Sequence, residues 1–455
     1  MQGELVQNEL ATIPAKVVGS LFPITVILVV VRSVLESATS LRAACGACHI
    51  SAQTFGFAGE SELSHTTAQN MILRIGLHEL TRPKEIANDW IWLIDHTING
   101  GTTKCLIVLG IRQSHYLTLK RPLEHKDLQA LALLPVEQSN GPIVRDQLAD
   151  LTNNVGVPLA VLSDRGSDLK KGVELLRGSH PEIIALYDIV HVVSRMIEKI
   201  LKSDERWAAY RQACCGCANA TRQSKLAHLK PPKPRTKARY MNIAQEVRWG
   251  ARSLAMVDAA RRGEWSPKQQ ESLSLDGLEK RLGWLDEYRD SLSQWESISH
   301  VHQTTCRVVR QCGYGETLVS RLQSALGNPA DELVSELVTK VIAHCEQSSE
   351  SVGLHGRLPG STEVLESLIG KGKRLAGAQA SGSMTRQVLA MVASLVTPTA
   401  ELIREAFTRC GIKHVADWCQ TNLPVSTQAD RRRDLTPTQA EQKLRKDAIA
   451  TTPTF

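Results

Sequence analysis

Two aspartates and a distant glutamate are the residues of this chain whose types and placement could do chemistry. Asp95 closes the apolar run IWLID, and Asp164 closes PLAVLSD, which starts at Pro158. Both runs have the composition of interior strands, so each is expected to deliver a carboxylate where its strand gives out. Far downstream, Glu366 lies in a helical stretch with Lys373 two turns on. Three such carboxylates from separate elements suit a pair of divalent cations, one activating an attacking oxygen and one steadying a leaving oxygen. A short Asp fixes an ion close to a strand, whereas Glu reaches in from a neighbouring helix. Hard oxygen donors without a His or Cys set beside them point to two Mg2+ or Mn2+ ions rather than zinc. The expected chemistry is cleavage of a phosphodiester, with water or a DNA 3′-hydroxyl as nucleophile.

Each carboxylate also has a plainer role open to it. A strand-terminal Asp is often a turn former or the N-cap of the next helix, and Asp168 in SDRGSD could cap that helix or stand behind the site. Asp89 precedes the first strand and belongs at its opposite end. Glu363 and Glu366 share a helix face, so spacing does not separate them. Glu363 falls in the first turn, where an acidic residue complements the macrodipole, and Glu366 lies deeper, on the face of Lys373. Glu366 is therefore assigned to the site, with Glu363 as the alternate. Asp188 and His191 form a D-x-x-H pair in a supporting position: a satisfied core histidine, or one that orients a catalytic carboxylate or a phosphate.

The elements that must position these residues follow from periodicity. Residues 1–83 read as short helices, with Ser64 and its neighbours capping AQNMILRIGLHEL and Pro83 ending the block. That is the outline of a helix-turn-helix module carrying Arg74, or of a plain helical cap on the next domain. Residues 84–200 read as three antiparallel strands (IWLID, CLIVLGI and YLTL at Tyr116 to Leu119), helices around 125–134 and 142–153, the strand ending at Asp164, a helix, the strand EIIALYD, and a helix. This order predicts an α/β, ribonuclease H-like fold with a mixed five-stranded sheet. Residues 201–354 read as a long α-helical insertion, 355–400 as the second part of the core with the glutamate helix, and 401–455 as a C-terminal helix and a polar basic tail. Gly370 and Gly372 are expected to loosen or end the glutamate helix.

Charge and composition narrow the partners. The chain has 455 residues, 42% of them apolar, and a net charge of +7, which suits a globular protein with a polyanionic partner. Between Thr221 and Tyr240 there are seven basic residues and no acidic ones. Lys233, Arg235, Lys237 and Arg239 in this arm form either a phosphate-tracking strip or a solvated linker. Arg165, Lys371, Lys373 and Arg374 are further candidates for contact with DNA. ITVILVVV, from Ile24, is closed by Arg32 well short of the roughly 20 residues of a membrane span. No signal peptide is read at the start, so a cytoplasmic location is expected. Eleven cysteines, an odd number, point to reduced thiols, and Cys45 with Cys48 lacks the second half of a zinc site.

Taken together, LIDHT, VLSDRGSD, YDIVH and GSTEVLESLIGKGK resemble the motifs of DDE-type transposases of bacterial insertion sequences. The resemblance covers roughly residues 85–200 and 355–380. It implies a ribonuclease H-like core in which Asp95, Asp164 and Glu366 hold two Mg2+, a preceding helix-turn-helix that binds the element's ends, and an insertion before the glutamate. It further implies hydrolysis that frees a 3′-hydroxyl, joining of that end to target DNA, a homodimer or larger assembly on DNA, and a nucleoid-associated place in a bacterial cytoplasm. The tyrosine and arginine that some of these families place shortly before their glutamate are not found at that spacing; only Arg357 lies upstream.

Overall fold

The computed structural model describes residues 17–55, 62–98, 103–233, 240, 243–266, 273–377, 384–425 and 427–436. Arg235, Lys237 and Arg239 of the basic arm, the turn at Asn99 to Gly101 and the polar tail lie outside the described residues. Three helices come first: α1 (Ile24–Leu35), α2 (Leu41–Phe55) and α3 (His65–Thr81). Ser64 caps α3, its hydroxyl accepting from the Thr67 amide at 3.1 Å. The core strands and helices follow as β1 (Trp90–Ile98), β2 (Lys104–Arg112), α4 (Gln113–Thr118), β3 (Gln129–Val136), α5 (Gly141–Val155), β4 (Ala160–Ser163), α6 (Ser167–Ser179), β5 (Ile184–Tyr187) and α7 (Ile189–Lys202).

The sheet order is β3-β2-β1-β4-β5. β2 runs antiparallel to both β1 and β3, while β4 and β5 run parallel to β1. This mixed five-stranded sheet is consistent with the ribonuclease H-like arrangement expected from the sequence. Two details differ. YLTL forms the short helix α4 instead of a strand, and the third strand is QALALLPV, read from sequence as helical. Ala and Leu without a polar alternation favour the helical reading, but β3 is an edge strand buried against its neighbour β2, and Pro135 is tolerated at an edge where no partner needs its missing N–H.

Side-chain alternation decides which face does what. Trp90, Trp92 and Ile94 join Leu106, Val108 and Val161 in one core layer with α5 and α6. Ile91 and Leu93, with Ala160 and Leu162, face the larger core layer on the opposite side. Asp95 and Asp164 continue that second set.

Helices α8 (Glu205–Thr221), α9 (Ala244–Arg261), α10 (Leu275–Leu282), α11 (Arg289–Cys312), α12 (Leu318–Leu326) and α13 (Glu332–Val352) build the long segment between the two parts of the site. Trp207, Tyr210, Trp284, Tyr288 and Trp295 pack ring against ring at its centre, with Trp207 and Trp295 edge to face at 4.8 Å. A two-residue ladder of β6 (Tyr314–Gly315) and β7 (Arg357–Leu358) returns the chain to the sheet. Helices α14 (Glu363–Ala376), α15 (Val388–Ala393), α16 (Ala400–Arg409) and α17 (Ile412–Asn422) then follow. Gly370 and Gly372 do not end α14, which runs on to a C-cap at Gly377 with φ +54°. Gly372 instead lets α14 lie against the Met391 side chain of α15.

The first helices fold onto this C-terminal group. Arg74 of α3 is buried, donating to the carbonyls of Cys410 at 2.6 Å, Phe407 at 2.8 Å and Gly19 at 3.0 Å. Its guanidinium also stacks 3.8 Å from the Phe407 ring centre. Met71 through Glu79 are all buried, so this stretch of α3 presents no face to a groove in DNA, and Arg74 is a packing residue. The apolar run at Ile24 forms α1, buried on one side; among the described residues no helix is long and apolar enough to cross a membrane. Gly76 marks the tightest crossing, because a Cβ there would collide with the Leu389 carbonyl of α15. Gly76→Ala is expected to cost about 1–3 kcal/mol by forcing the two helices apart. Thermal or denaturant unfolding would register this as a lower midpoint, and an unchanged midpoint would contradict the crossing.

Candidate active site

Register brings the two aspartates together. β1 and β4 pair in parallel from Ile91 with Ala160 to Ile94 with Ser163, so the next residues along are Asp95 and Asp164. Asp95 is not at the end of its own strand, since β1 continues to Ile98 beside β2. It stands instead where the shorter β4 stops, and that step in the sheet opens the rim. Asp89 is at the far end, bonded to Arg112 and to the Ser114 amide. Each site aspartate has one oxygen held locally: Asp95 accepts from the His96 amide at 2.7 Å and Asp164 from the Gly166 amide at 2.8 Å. A Cβ at Gly166 would stand 2.9 Å from Asp164 Oδ1, so a larger residue there would press on that carboxylate.

α14 brings Glu366 near enough for its charge to act on Asp95. Glu366 Oε1 lies 2.9 Å from His191 Nε2, with the imidazole donating to the carboxylate. Burial alone would lower the His191 pKa, but the bond from Glu366 and the charges of Asp188, Glu366 and Asp164 raise it above its usual value. Glu363 points elsewhere. It pairs with Arg310 and lines a cavity of about 330 Å³ with Tyr116 and His125. Spacing along the helix could not separate the two glutamates, and the one turned toward the aspartates is Glu366.

What holds α14 in place is Asp188, which is fully buried. Its Oδ1 caps α7, accepting from Val190 N at 2.6 Å and from His191 N at 3.3 Å. Its Oδ2 accepts from the Thr362 hydroxyl at 2.6 Å and from the Thr362 amide at the start of α14. The Ile189 amide adds a bond to the Gly360 carbonyl at 3.0 Å. Sequence reading singled out Asp188 and His191 but missed Thr362. Its position just before a helix suggests a cap, yet its side chain makes no cap bond to α14 and reaches back to α7.

On the opposite face of β1, His96 lies 3.5 Å from Asp168, which also bonds Lys104 at 3.0 Å. Burial opposes ionisation of Asp168, but Lys104, His96 and Ser139 together hold its pKa below the usual carboxylate range. Asp168 is thus a neighbour of the site engaged in its own cluster, which sequence reading also missed because Lys104 and His96 lie on separate strands.

The electrostatics of the rim are those of an anionic pocket that His191 compensates only in part. Asp95 is pushed up from 3.8 to about 7, first by burial, then by the charge of Asp164 and, against the His96 amide bond, by Glu366. In type, these oxygen donors suit a hard divalent cation, and the crowding of negative charge at Asp95 is what such an ion relieves. As they stand, no three His, Cys, Asp or Glu side chains among the described residues are grouped closely enough to share one metal ion.

The basic candidates are dispersed. Arg165, next to Asp164, stacks 4.8 Å from the Tyr187 ring centre. Lys373 and Arg374 are exposed in the last turn of α14, whereas Lys371 is half-buried in a cleft with Glu36 and His125. Lys233 is exposed at the end of its described segment. Cys45 and Cys48 share no metal-ligand group, and the cysteines are free thiols.

No family model matches this chain, and no curated protein matches it. Among solved structures it is similar to the Drosophila P element transposase strand transfer complex, at 11% sequence identity and a TM-score of 0.42, over 89% of this chain and 100% of that one. At that distance, a functional reading has to stand on the geometry of the rim.

That geometry has a pH signature. Asp95 holds its proton more tightly folded than unfolded, so its contribution to stability is present below about pH 4 and is lost as pH rises to about 7. Asp95→Asn should therefore raise the unfolding midpoint at pH 8 in metal-free buffer, and raise it less at pH 5. Equal midpoints for variant and parent at pH 8 would show that Asp95 is not crowded by its neighbours.

Proposed function

We propose that the protein is a DNA transposase of the DDE type, cutting phosphodiesters at the rim formed by Asp95, Asp164 and Glu366 and joining the freed 3′-hydroxyl to target DNA. The observation that carries this reading is the parallel pairing of β1 and β4, which sets Asp95 and Asp164 next to each other on one sheet face, with the charge of Glu366 acting on Asp95 from α14. Asp95, Asp164 and Glu366 would hold two Mg2+ or Mn2+ ions, which supply activation of the attacking oxygen and stabilisation of the leaving one.

The remaining roles belong to the chain itself. Ions held there would favour the ionised form of Asp95, which burial and like charge otherwise disfavour. His191 keeps Glu366 turned toward the aspartates, and Asp188 fixes the helix that bears it. Arg165, Lys373 and Arg374, with Lys371 and the arm of Lys233, Arg235, Lys237 and Arg239, would take DNA phosphates, as the net positive charge favours. The DNA would be the ends of the protein's own element and its target, and pairing two ends calls for a dimer or a larger assembly in the cytoplasm, on the nucleoid of a bacterium. No residue of buried α3 is assigned to reading the ends.

The test uses the full chain with a plasmid carrying the repeats that flank its coding segment, and Mg2+ or Mn2+. The parent should cut and join. Asp164→Asn and Glu366→Gln should each lower both steps by roughly a hundredfold or more while DNA binding persists, and Glu363→Gln should stay within about threefold. Cutting without joining would make the protein a nuclease. Binding without cutting would leave a DNA-binding relative of transposases, and a larger loss from Glu363→Gln than from Glu366→Gln would displace Glu366 from the site.

A further inference from the structure

A groove of about 930 Å³ starts at Arg165, one residue from Asp164, and runs between α7 and the helices of the long segment. Its floor is apolar. Val192, Met196 and Ile200, on one side of α7, face Leu333 and Leu337 of α13. The rim is cationic: Arg165, Arg195, Lys199, Arg206 and Lys340 line it against a single carboxylate, Asp204. That carboxylate is already engaged, capping α8 through Oδ1 and accepting from the Trp295 indole at 3.1 Å through Oδ2. Arg195 is anchored at the Arg165 carbonyl at 2.8 Å, which leaves its other guanidinium nitrogens to the groove. Lys340 pairs with Glu336 at 2.6 Å, and Arg206 donates to the Glu287 carbonyl at 2.9 Å.

Cations along a rim over an apolar floor match a polymer with charged phosphates on one edge and flat, uncharged bases on the other. The volume lies within the roughly 300–1,000 Å³ of a site for a small molecule or a few nucleotides and is too small for a duplex. Through Arg165 the groove begins one residue from Asp164. From these features we infer that it binds a single DNA strand, unpaired beside the phosphodiester held at Asp95, Asp164 and Glu366. The inference builds on the proposed nuclease site by naming the form of DNA that leaves it. Phosphates lie along Arg195, Lys199 and Arg165, and bases lie over Met196 and Leu337.

The experiment measures binding of a short labelled oligothymidylate, and of a duplex of the same length, to the full chain without divalent metal. Arg195→Glu combined with Lys199→Glu, both exposed positions, should weaken the single strand by roughly tenfold or more and make its salt dependence shallower by about 1.4 in logarithmic slope. Duplex affinity should change by less than about twofold, and the swap Arg195→Lys with Lys199→Arg should keep single-strand binding. An unchanged single-strand affinity in the charge-reversed chain overturns the inference, as does an equal loss for duplex and single strand. Displacement of the oligothymidylate by ATP at matched phosphate concentration would assign the groove to a free nucleotide and overturn it too. Because no cleavage is measured, loss of the groove leaves the nuclease reading standing, and an inactive parent enzyme leaves the groove standing.

Discussion

The buried carboxylate of Asp188 is the constraint on which this structure turns. A charge placed out of water is costly unless its oxygens are fully engaged, and Asp188 meets that condition only by gripping two helix beginnings at once. One belongs to α7, which continues directly from β5. The other belongs to α14, separated from it by the whole of the long helical segment. Because the donors on both sides are backbone amides and a short hydroxyl, the bridge leaves little freedom in where α14 begins. Glu366, one turn further on, inherits that position. The side of α7 next to this bridge holds His191, which fixes the rotamer of Glu366 through its own bond. Removing any one partner would leave the Asp188 charge short of a donor, so the bridge and the placement of Glu366 stand or fall together.

The sheet contributes the other half. Parallel pairing aligns equivalent ends of β1 and β4, and an alternating side-chain pattern commits Asp95 and Asp164 to the face that α7 and α14 cover. The His96 amide and the charge of His191 offset the crowding at Asp95 only in part, and its carboxyl is driven up to about 7. A protein gains no stability from such an arrangement. Strained or electrostatically unfavourable clusters of this kind are characteristic of sites that bind something to relieve them. The aromatic cluster of the long segment meets the cationic groove at Asp204, which accepts from the Trp295 indole.

Much of this was legible in the sequence, and the losses have physical reasons. The strands bearing Asp95 and Asp164 could be read because uninterrupted apolar runs ending in an acid are unusual, and the order of elements already implied the mixed sheet. The third strand was misplaced because QALALLPV lacks alternation, whereas YLTL has strand-forming residues but folds as a helix against the end of β2. Arg74 lies in a helix whose polar start gives the outline of a helix-turn-helix or of a plain helical cap. Its partners Phe407 and Cys410 are remote in sequence, and no local pattern announces them. Helix position favours Glu366 over Glu363, but the contacts that separate the two, Arg310 with Glu363 and His191 with Glu366, are likewise remote in sequence.

The most direct measurement is a crystal structure of the chain soaked in Mn2+, with the ion located by its anomalous scattering. A manganese peak should appear bonded to the carboxylates of both Asp95 and Asp164, with Glu366 contributing to the same cluster and Asp188 still bridging α7 and α14. Manganese absent from the rim, or bound there with Glu363 in place of Glu366, would contradict this assignment of the site.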